Sequence, residues 1–248
     1  MLKQSQLDLC GRVDFTREVP LLGRDEGFSF ACAGCGDCCR GREDIVLSGF
    51  DLWRIAARLR LPPRTVARAF CKASIGAVSH LPVLRLAPVR EEGNNCPFLT
   101  HSRCAIHDAE PLVCALYPLA QEITKEGSVS YFLQPTSCGG QVISAKVRDY
   151  LARYDIPARE ATDVRWAQVC MALEDRMEAL EAVFEPVFIR RMRQKLWQAL
   201  YYRYDFAAPF LPQLEENLRG LDAELEKLSA LQERRNVRFH KSIEKTDK

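Results

Sequence analysis

The stretch Cys32-Ala33-Gly34-Cys35-Gly36-Asp37-Cys38-Cys39 places four thiols within eight residues. No packed core needs that density, and the vicinal pair Cys38-Cys39 cannot easily close a relaxed disulfide on itself. Two residues between successive cysteines let one tight loop turn several sulfurs toward one point. Gly34 and Gly36 suit such a loop, because glycine accepts positive φ and lets the backbone pass close to what is bound. The stretch reads as half of a metal site, and the rest of the chain has to supply the other half.

The chain has 248 residues, enough for one large domain or two small ones. A hydrophobic share of 47% supplies a core and argues against global disorder. The formal net charge is only +2, from 35 basic and 33 acidic side chains, so the basic excess of a nucleic-acid binder is missing. The opening Met1-Leu2-Lys3-Gln4-Ser5-Gln6-Leu7-Asp8 lacks the apolar core of a signal peptide. No apolar run reaches bilayer-spanning length. The expected location is therefore the cytoplasm, with no membrane and no nucleic-acid partner. In that reducing compartment eleven cysteines read as metal ligands rather than as a disulfide framework.

Upstream of the loop, Phe28-Ser29-Phe30 alternates as a short extended segment does, and Cys10 reads as a lone buried thiol. Downstream, Ser48 with Asp51 three residues on resembles a capping box. Leu52, Ile55, Ala56 and Leu59 follow at helical spacing. Pro62 and Pro63 break that helix and open another from about Arg64 to Lys72. Cys71 at its end reads as a buried helix cysteine. Arg54, Arg58, Arg60, Arg64 and Arg68 read as the wet faces of the two helices. Val83, Leu84 and Leu86 suggest a strand between prolines.

A second group of cysteines follows the turn Glu91-Glu92-Gly93-Asn94-Asn95. It comprises Cys96-Pro97-Phe98-Leu99, Cys104-Ala105-Ile106-His107, Cys114 within Pro111–Pro118 and, after strand-like Val129–Leu133, Cys138-Gly139-Gly140. From about Val142 the pattern becomes helical, over 142–154, over 160–184, and from Arg190 to Tyr204. Leu211, Leu214, Leu218, Leu221, Leu225 and Leu228 then form a heptad-like stripe. It is too short to establish a coiled coil. Packing on its own fold is favoured slightly over a dimer seam or a partner-binding helix, and the polar tail from Gln232 is expected to fray. The expected fold is mainly α with short β segments: a cysteine-rich metal-binding domain over residues 1–141 and a helical extension over 142–248.

Eight cysteines cluster in sequence: Cys32, Cys35, Cys38, Cys39, Cys96, Cys104, Cys114 and Cys138. Cys10, Cys71 and Cys170 stand apart, and replacing Cys170 is expected to cost neither metal nor stability. Thiolate-rich sites select zinc, iron–sulfur clusters or Cu(I) over hard cations. Zinc takes cysteines in C-x2-C pairs, two pairs per ion. Cys32 and Cys35 form one pair, but the second group holds no clean one. His101 and His107 flank Cys104 at metal-ligand spacing, yet read more simply as a loop side chain and a packed ring. The run Cys32, Cys35, Cys38 with a distant Cys96-Pro97 resembles the ligand run of bacterial ferredoxins. These residues favour an iron–sulfur cluster over zinc. Alanine at position 31 means that a radical-type C-x3-C-x2-C run is absent.

Taken together, Cys-x2-Cys-x2-Cys-Cys, Cys-Pro-Phe-Leu, Cys-x-Ile-aromatic, Pro-x2-Cys-x2-Tyr-Pro and a final cysteine resemble the YkgJ-like cysteine-cluster family, described as a zinc- or iron-chelating domain. The resemblance covers about residues 28–140 and departs from the family pattern at Glu110-Pro111, where Arg-Pro is usual, at Cys114-Ala115, where Cys-Arg is usual, and at His107, where tyrosine is usual. Losing both arginines removes positive charge near the thiolates. The family includes proteins named flagellin lysine N-methylase, so the resemblance also implies a protein-lysine methyltransferase as an alternative to a metal-binding protein that is not an enzyme. No glycine-rich cofactor loop follows a strand in this chain. A thiol-exchange protein and an interaction module with structural zinc, built on the leucine stripe, rank below these.

Overall fold

The computed structural model describes residues 20–134 and 141–246; side chains at 92, 141–144 and 232–246 fall outside that description. The fold is mainly helical with short strands. Its first helix, α1 (Gly49–Leu59), starts where the sequence predicts. The Ser48 hydroxyl accepts from the Asp51 N–H at 2.9 Å, and Asp51 Oδ2 accepts from the Ser48 N–H at 2.9 Å. Such a cap contributes about 1 kcal/mol. Leu52, Ile55 and Ala56 are fully buried on one face. Arg60 ends the helix in the left-handed conformation, and Pro63 opens α2 (Pro63–Phe70).

The second helix is shorter than its periodicity predicts. At Cys71 the chain turns into strand β3 (Cys71–Ile75), which pairs antiparallel with β4 (Pro82–Leu86). The Ala87 N–H already bonds the Phe70 carbonyl at 2.8 Å, so strand pairing takes over from the helix there. With β2 (Val46–Leu47) the sheet order is β2-β4-β3. β4 is its centre, and Val83 and Leu84 are buried.

Helices from the C-terminal half cover this unit. They are α5 (Ile156–Glu181), α6 (Pro186–Trp197), which continues as a π-helical turn over Gln198–Tyr202, and α7 (Phe210–Thr246). Gly49 sits flush against them: a Cβ there would lie 2.2 Å from the Leu200 carbonyl oxygen and 2.6 Å from the Trp166 ring. Leu214, Leu221, Leu225 and Leu228 are buried, with Leu211 and Leu218 packed at the margin. The leucine stripe thus faces its own fold through Leu228. The helical backbone runs to Thr246, beyond the point where fraying was expected. The main core takes residues from both sides of position 141.

A second, smaller core lies beside it. Strand β1 (Gly27–Ala31) pairs with β9 (Gln141–Lys146), and β7 (Leu119–Ile123) pairs with β8 (Val129–Leu133). Phe28, Leu116, Leu119, Tyr131, Val147, Tyr150 and Leu151 pack between these strand pairs, α3 (Leu112–Leu116) and α4 (Val147–Arg153). The stretch 142–154, expected to be helical throughout, opens instead as β9, because β1 offers it a partner; the helix begins only at Val147. The hairpin β5 (Leu99–Thr100) and β6 (Arg103–Cys104) completes the strands. Among the described residues no helix is long and apolar enough to cross a membrane.

A buried charged cluster joins the cores. Arg159 on α5, 6% exposed, donates to Asp163 Oδ2 at 2.6 Å and to Asp51 Oδ1 at 2.7 Å. Asp51 Oδ1 also accepts from the Leu112 N–H at 3.0 Å, which ties the start of α3 to α1. Burial is the largest influence on Asp163 and holds its carboxyl up at about 6, against the opposing pull of Arg159.

Candidate metal centre

Strand β1 delivers the chain directly to Cys32. Gly34 and Gly36 both adopt positive φ, at 66° and 74°. At Gly36 the requirement is also steric, since a Cβ would stand 2.8 Å from the Ser102 carbonyl oxygen. A 3-10 turn then carries Asp37–Cys39, closed by the Cys39 N–H on the Gly36 carbonyl at 3.0 Å. Arg40 clamps this loop. It donates to the Cys35 carbonyl and to Asp37 Oδ1, both at 2.9 Å, and to the Ser102 hydroxyl at 2.8 Å.

The second cysteine group meets the first through the backbone. The Cys96 N–H donates to the Cys39 carbonyl at 2.8 Å. The β5–β6 hairpin turns at His101 and Ser102, both with positive φ, the twist that a two-residue hairpin turn demands. It presents Cys104 directly opposite Leu99. Cys114 comes from α3, whose first N–H is held by Asp51. The segment before α3 is held by α1. Arg54 donates to the carbonyls of Asp108 (2.9 Å) and Glu110 (3.3 Å), and Arg58 pairs with the Asp108 carboxylate at 2.9 Å. These two arginines therefore hold the site together rather than merely facing water, as the sequence reading had them.

The result is one cavity of about 430 Å³ lined by seven thiols: Cys32, Cys35, Cys38, Cys39, Cys96, Cys104 and Cys114. Cys32 is exposed and the other six are half-buried. Phe30, Tyr117, Tyr150, Tyr154 and the Glu110 carboxyl form much of the remaining wall. Cys38 Sγ and Cys39 Sγ lie 4.0 Å apart. Among the described residues no three His, Cys, Asp or Glu side chains converge as a single ion requires. Seven thiols line the cavity, more than one tetrahedral ion takes.

Cys71 and Cys170 lie elsewhere, Cys170 deep in the main core at 3% exposed. Cys10 and Cys138 lie outside the described residues. His107 stands at the cavity wall, 67% exposed, with Nδ1 3.2 Å from Glu110 Oε2. Tyr150, Tyr154 and Arg40 are the residues that sequence reasoning missed, while Glu110 had been singled out only as a departure from the family pattern. The spacing of Tyr150 and Tyr154 by four marks one helix face, but nothing in it points to this cavity.

The thiols hinder one another's ionisation. The Cys38 thiol bonds Cys39, and this, with burial, raises Cys38 far above the usual thiol range. Cys39 is lowered by accepting from Cys38, but its own bond to Cys96 and burial outweigh that and push it up to about 12. Burial raises Cys104, and raises Cys114 well above its ordinary value with Glu110 adding to the effect. Cys96 is lowered by the bond from Cys39. Arg42, paired with Asp44 at 2.6 Å and 5.8 Å from the Tyr117 ring centre, lies near enough to favour the thiolate of Cys38. Several half-buried thiols that cannot ionise together fit a cationic group, which would replace their protons.

Residues 31–139 match the family model CxxCxxCC, described as "Putative zinc- or iron-chelating domain". No curated protein and no solved structure matches the chain.

Proposed function

With residues 31–139 forming a CxxCxxCC zinc- or iron-chelating domain, we propose that this chain is a metal-binding protein whose cavity holds an iron–sulfur cluster. The ligands are drawn from Cys32, Cys35, Cys38, Cys39, Cys96, Cys104 and Cys114, with Cys138 as the eighth member of the set. The observation that carries the choice is that seven thiols line one cavity of about 430 Å³, more donors than a single tetrahedral ion takes. A tetrahedral zinc draws four donors to about 2.3 Å from a single centre. Donors round one cavity suit a cluster, in which each thiolate meets a different iron.

When bound, such a cluster supplies a one-electron couple whose potential follows charge, hydrogen bonding and solvent exposure. The chain's own residues set those terms. Phe30, Tyr150 and Tyr154 keep water from one side, Arg42 offsets thiolate charge, and Arg40 fixes the cysteine loop against the hairpin. Eleven cysteines read as metal ligands rather than as disulfides suit a reducing compartment, which supports a cytoplasmic location.

Zinc is the second reading, favoured by one distance. The 4.0 Å between the Cys38 and Cys39 sulfurs is close to the roughly 3.8 Å edge of a thiolate tetrahedron with 2.3 Å bonds. The test common to both readings is metal content in paired variants, purified without oxygen. Cys114→Ala should lose most of the bound metal, while Cys71→Ala keeps all of it. Should Cys114→Ala fail to fold, Cys35→Ala on the half-exposed loop decides. Full metal in Cys35→Ala and Cys114→Ala would contradict the assignment.

A further inference from the structure

The three-stranded sheet stops at β3, which pairs with β4 on one side and, among the described residues, with no strand on the other. The register fixes which groups face outward. The Ala87 N–H bonds Phe70 O at 2.8 Å and the Gly76 N–H bonds Leu81 O at 2.9 Å, both in line with the β3–β4 register. Antiparallel pairs alternate between bonded and non-bonded, so Lys72 and Ser74 exchange bonds with β4. The N–H and C=O groups of Ala73 and Ile75 therefore point away from the sheet. Natural proteins usually blunt such an edge or cover it.

Beside this edge lies a groove of about 660 Å³, walled by Ala73–Ile75 on one side and by Trp197 and Tyr202 on the other. The two rings stack at 5.8 Å and 11° across the π-helical turn, a distortion that recurs at functional sites. Tyr202 lines the groove with Ala73 and Ile75, which share a sheet face with Cys71. Lys72, Ser74 and Arg85, directly opposite Lys72, share the other face. Arg64 lies 6.0 Å from the Tyr202 ring centre, and Lys195 also lines the groove. Among the described residues no carboxylate lines it, and Lys195 is paired with Glu224 at 2.8 Å. Lys72 is exposed, with no ion pair among the described residues.

We propose that the open edge of β3 docks an extended acidic segment of a partner protein, which adds to the sheet as a fourth strand. Main-chain bonds to Ala73 and Ile75 would hold it, and alternate side chains would select it. Its acidic residues would lie beside Lys72, where opposite charges on neighbouring strands attract, with Arg85 one strand further on. Its apolar residues would lie against Trp197 and Tyr202. The groove and the thiol cavity share no lining residue, and the proposal does not depend on what that cavity holds.

The test uses the full chain and two labelled seven-residue peptides, acetyl-Glu-Val-Glu-Val-Glu-Val-Glu-amide and its counterpart with lysine for each glutamate, followed by fluorescence anisotropy. The acidic peptide should bind and the basic one should not. Ala73→Pro removes an outward N–H without touching the ladder, a place where an edge strand tolerates proline. It should weaken binding about tenfold, the size expected from losing one or two hydrogen bonds. Lys72→Glu, at an exposed position, should weaken the acidic peptide and leave the melting temperature unchanged, which keeps the test decisive if Ala73→Pro folds poorly. Absence of binding, equal binding of both peptides, or acidic-peptide binding that neither variant moves would overturn the proposal. So would a dimer that Ala73→Pro converts to monomer, which would assign the edge to a second copy of the chain.

Discussion

Gly36 carries two demands at once, a φ of 74° and a backbone oxygen 2.8 Å from where a Cβ would sit. Gly34 carries only the first, since nothing lies within 4 Å of its Cβ position. Gly34→Ala should therefore cost about 1 kcal/mol for the left-handed backbone. Gly36→Ala should cost about 2–3 kcal/mol, with metal retention falling, because the cysteine loop must part from the hairpin. Urea unfolding with metal analysis separates the two. Cys170 gives a second contrast. Its burial in the main core means that serine there would strand a hydroxyl, at about 1–3 kcal/mol, so the sequence expectation of no stability cost does not hold. Cys170→Ala is the cleaner control and should retain all metal.

The thiol titrations have a sign that can be checked. Cys71 and Cys170 are held at about 12 by burial, against an ordinary 9.0. The folded chain therefore binds these protons more tightly than the unfolded one. Their contribution is fully present below pH 9 and is lost as pH rises toward 12. Thermal melts across that interval should fall less steeply for Cys170→Ala than for the wild-type chain. An unchanged slope would show that Cys170 does not titrate as its burial requires. At this scale the sequence showed which cysteines group, and seven of them line one cavity, because thiols at that density stand out in the sequence. Tyr150 and Arg40 were not legible there, because only tertiary contact brings them to the cavity.

Among the elements, α5 does most to join the two cores, through Arg159. Its side chain holds both Asp51 and Asp163, and Asp51 in turn caps α1 and holds the start of α3. Arg159→Met would leave two buried carboxylates without their cation, a loss of about 3–5 kcal/mol. Urea denaturation should show it, and removing Asp163 as well (Arg159→Met with Asp163→Leu) should restore part of the loss. A change under about 1 kcal/mol would show that the cluster is not the joint between the cores. The capping half of this cluster was readable from Ser48 and Asp51. The ionic half was not, because Arg159 meets Asp51 only when α5 crosses α1. Strand β9 escaped for a similar reason: its partner β1 lies more than a hundred residues earlier, and periodicity sees only neighbours.

Over the whole molecule, the cysteine region and the helical extension share one core. Leu214, Leu221 and Leu225 pack with Leu52, Ile55 and Trp166. The extension is thus part of what holds the cysteine arms in place. Leu225→Ala should lower stability by about 2–5 kcal/mol, as burial without collapse implies, and should leave the sedimenting mass unchanged. A change in mass without a change in stability would return the stripe to a dimer seam. The central claim is that the thiols surround a polynuclear group. Iron, zinc and acid-labile sulfide, measured together with the visible absorption spectrum on protein purified without oxygen, test it most directly. Brown protein with iron and sulfide in matching amounts is the expected result. Colourless protein carrying zinc and no sulfide would contradict it.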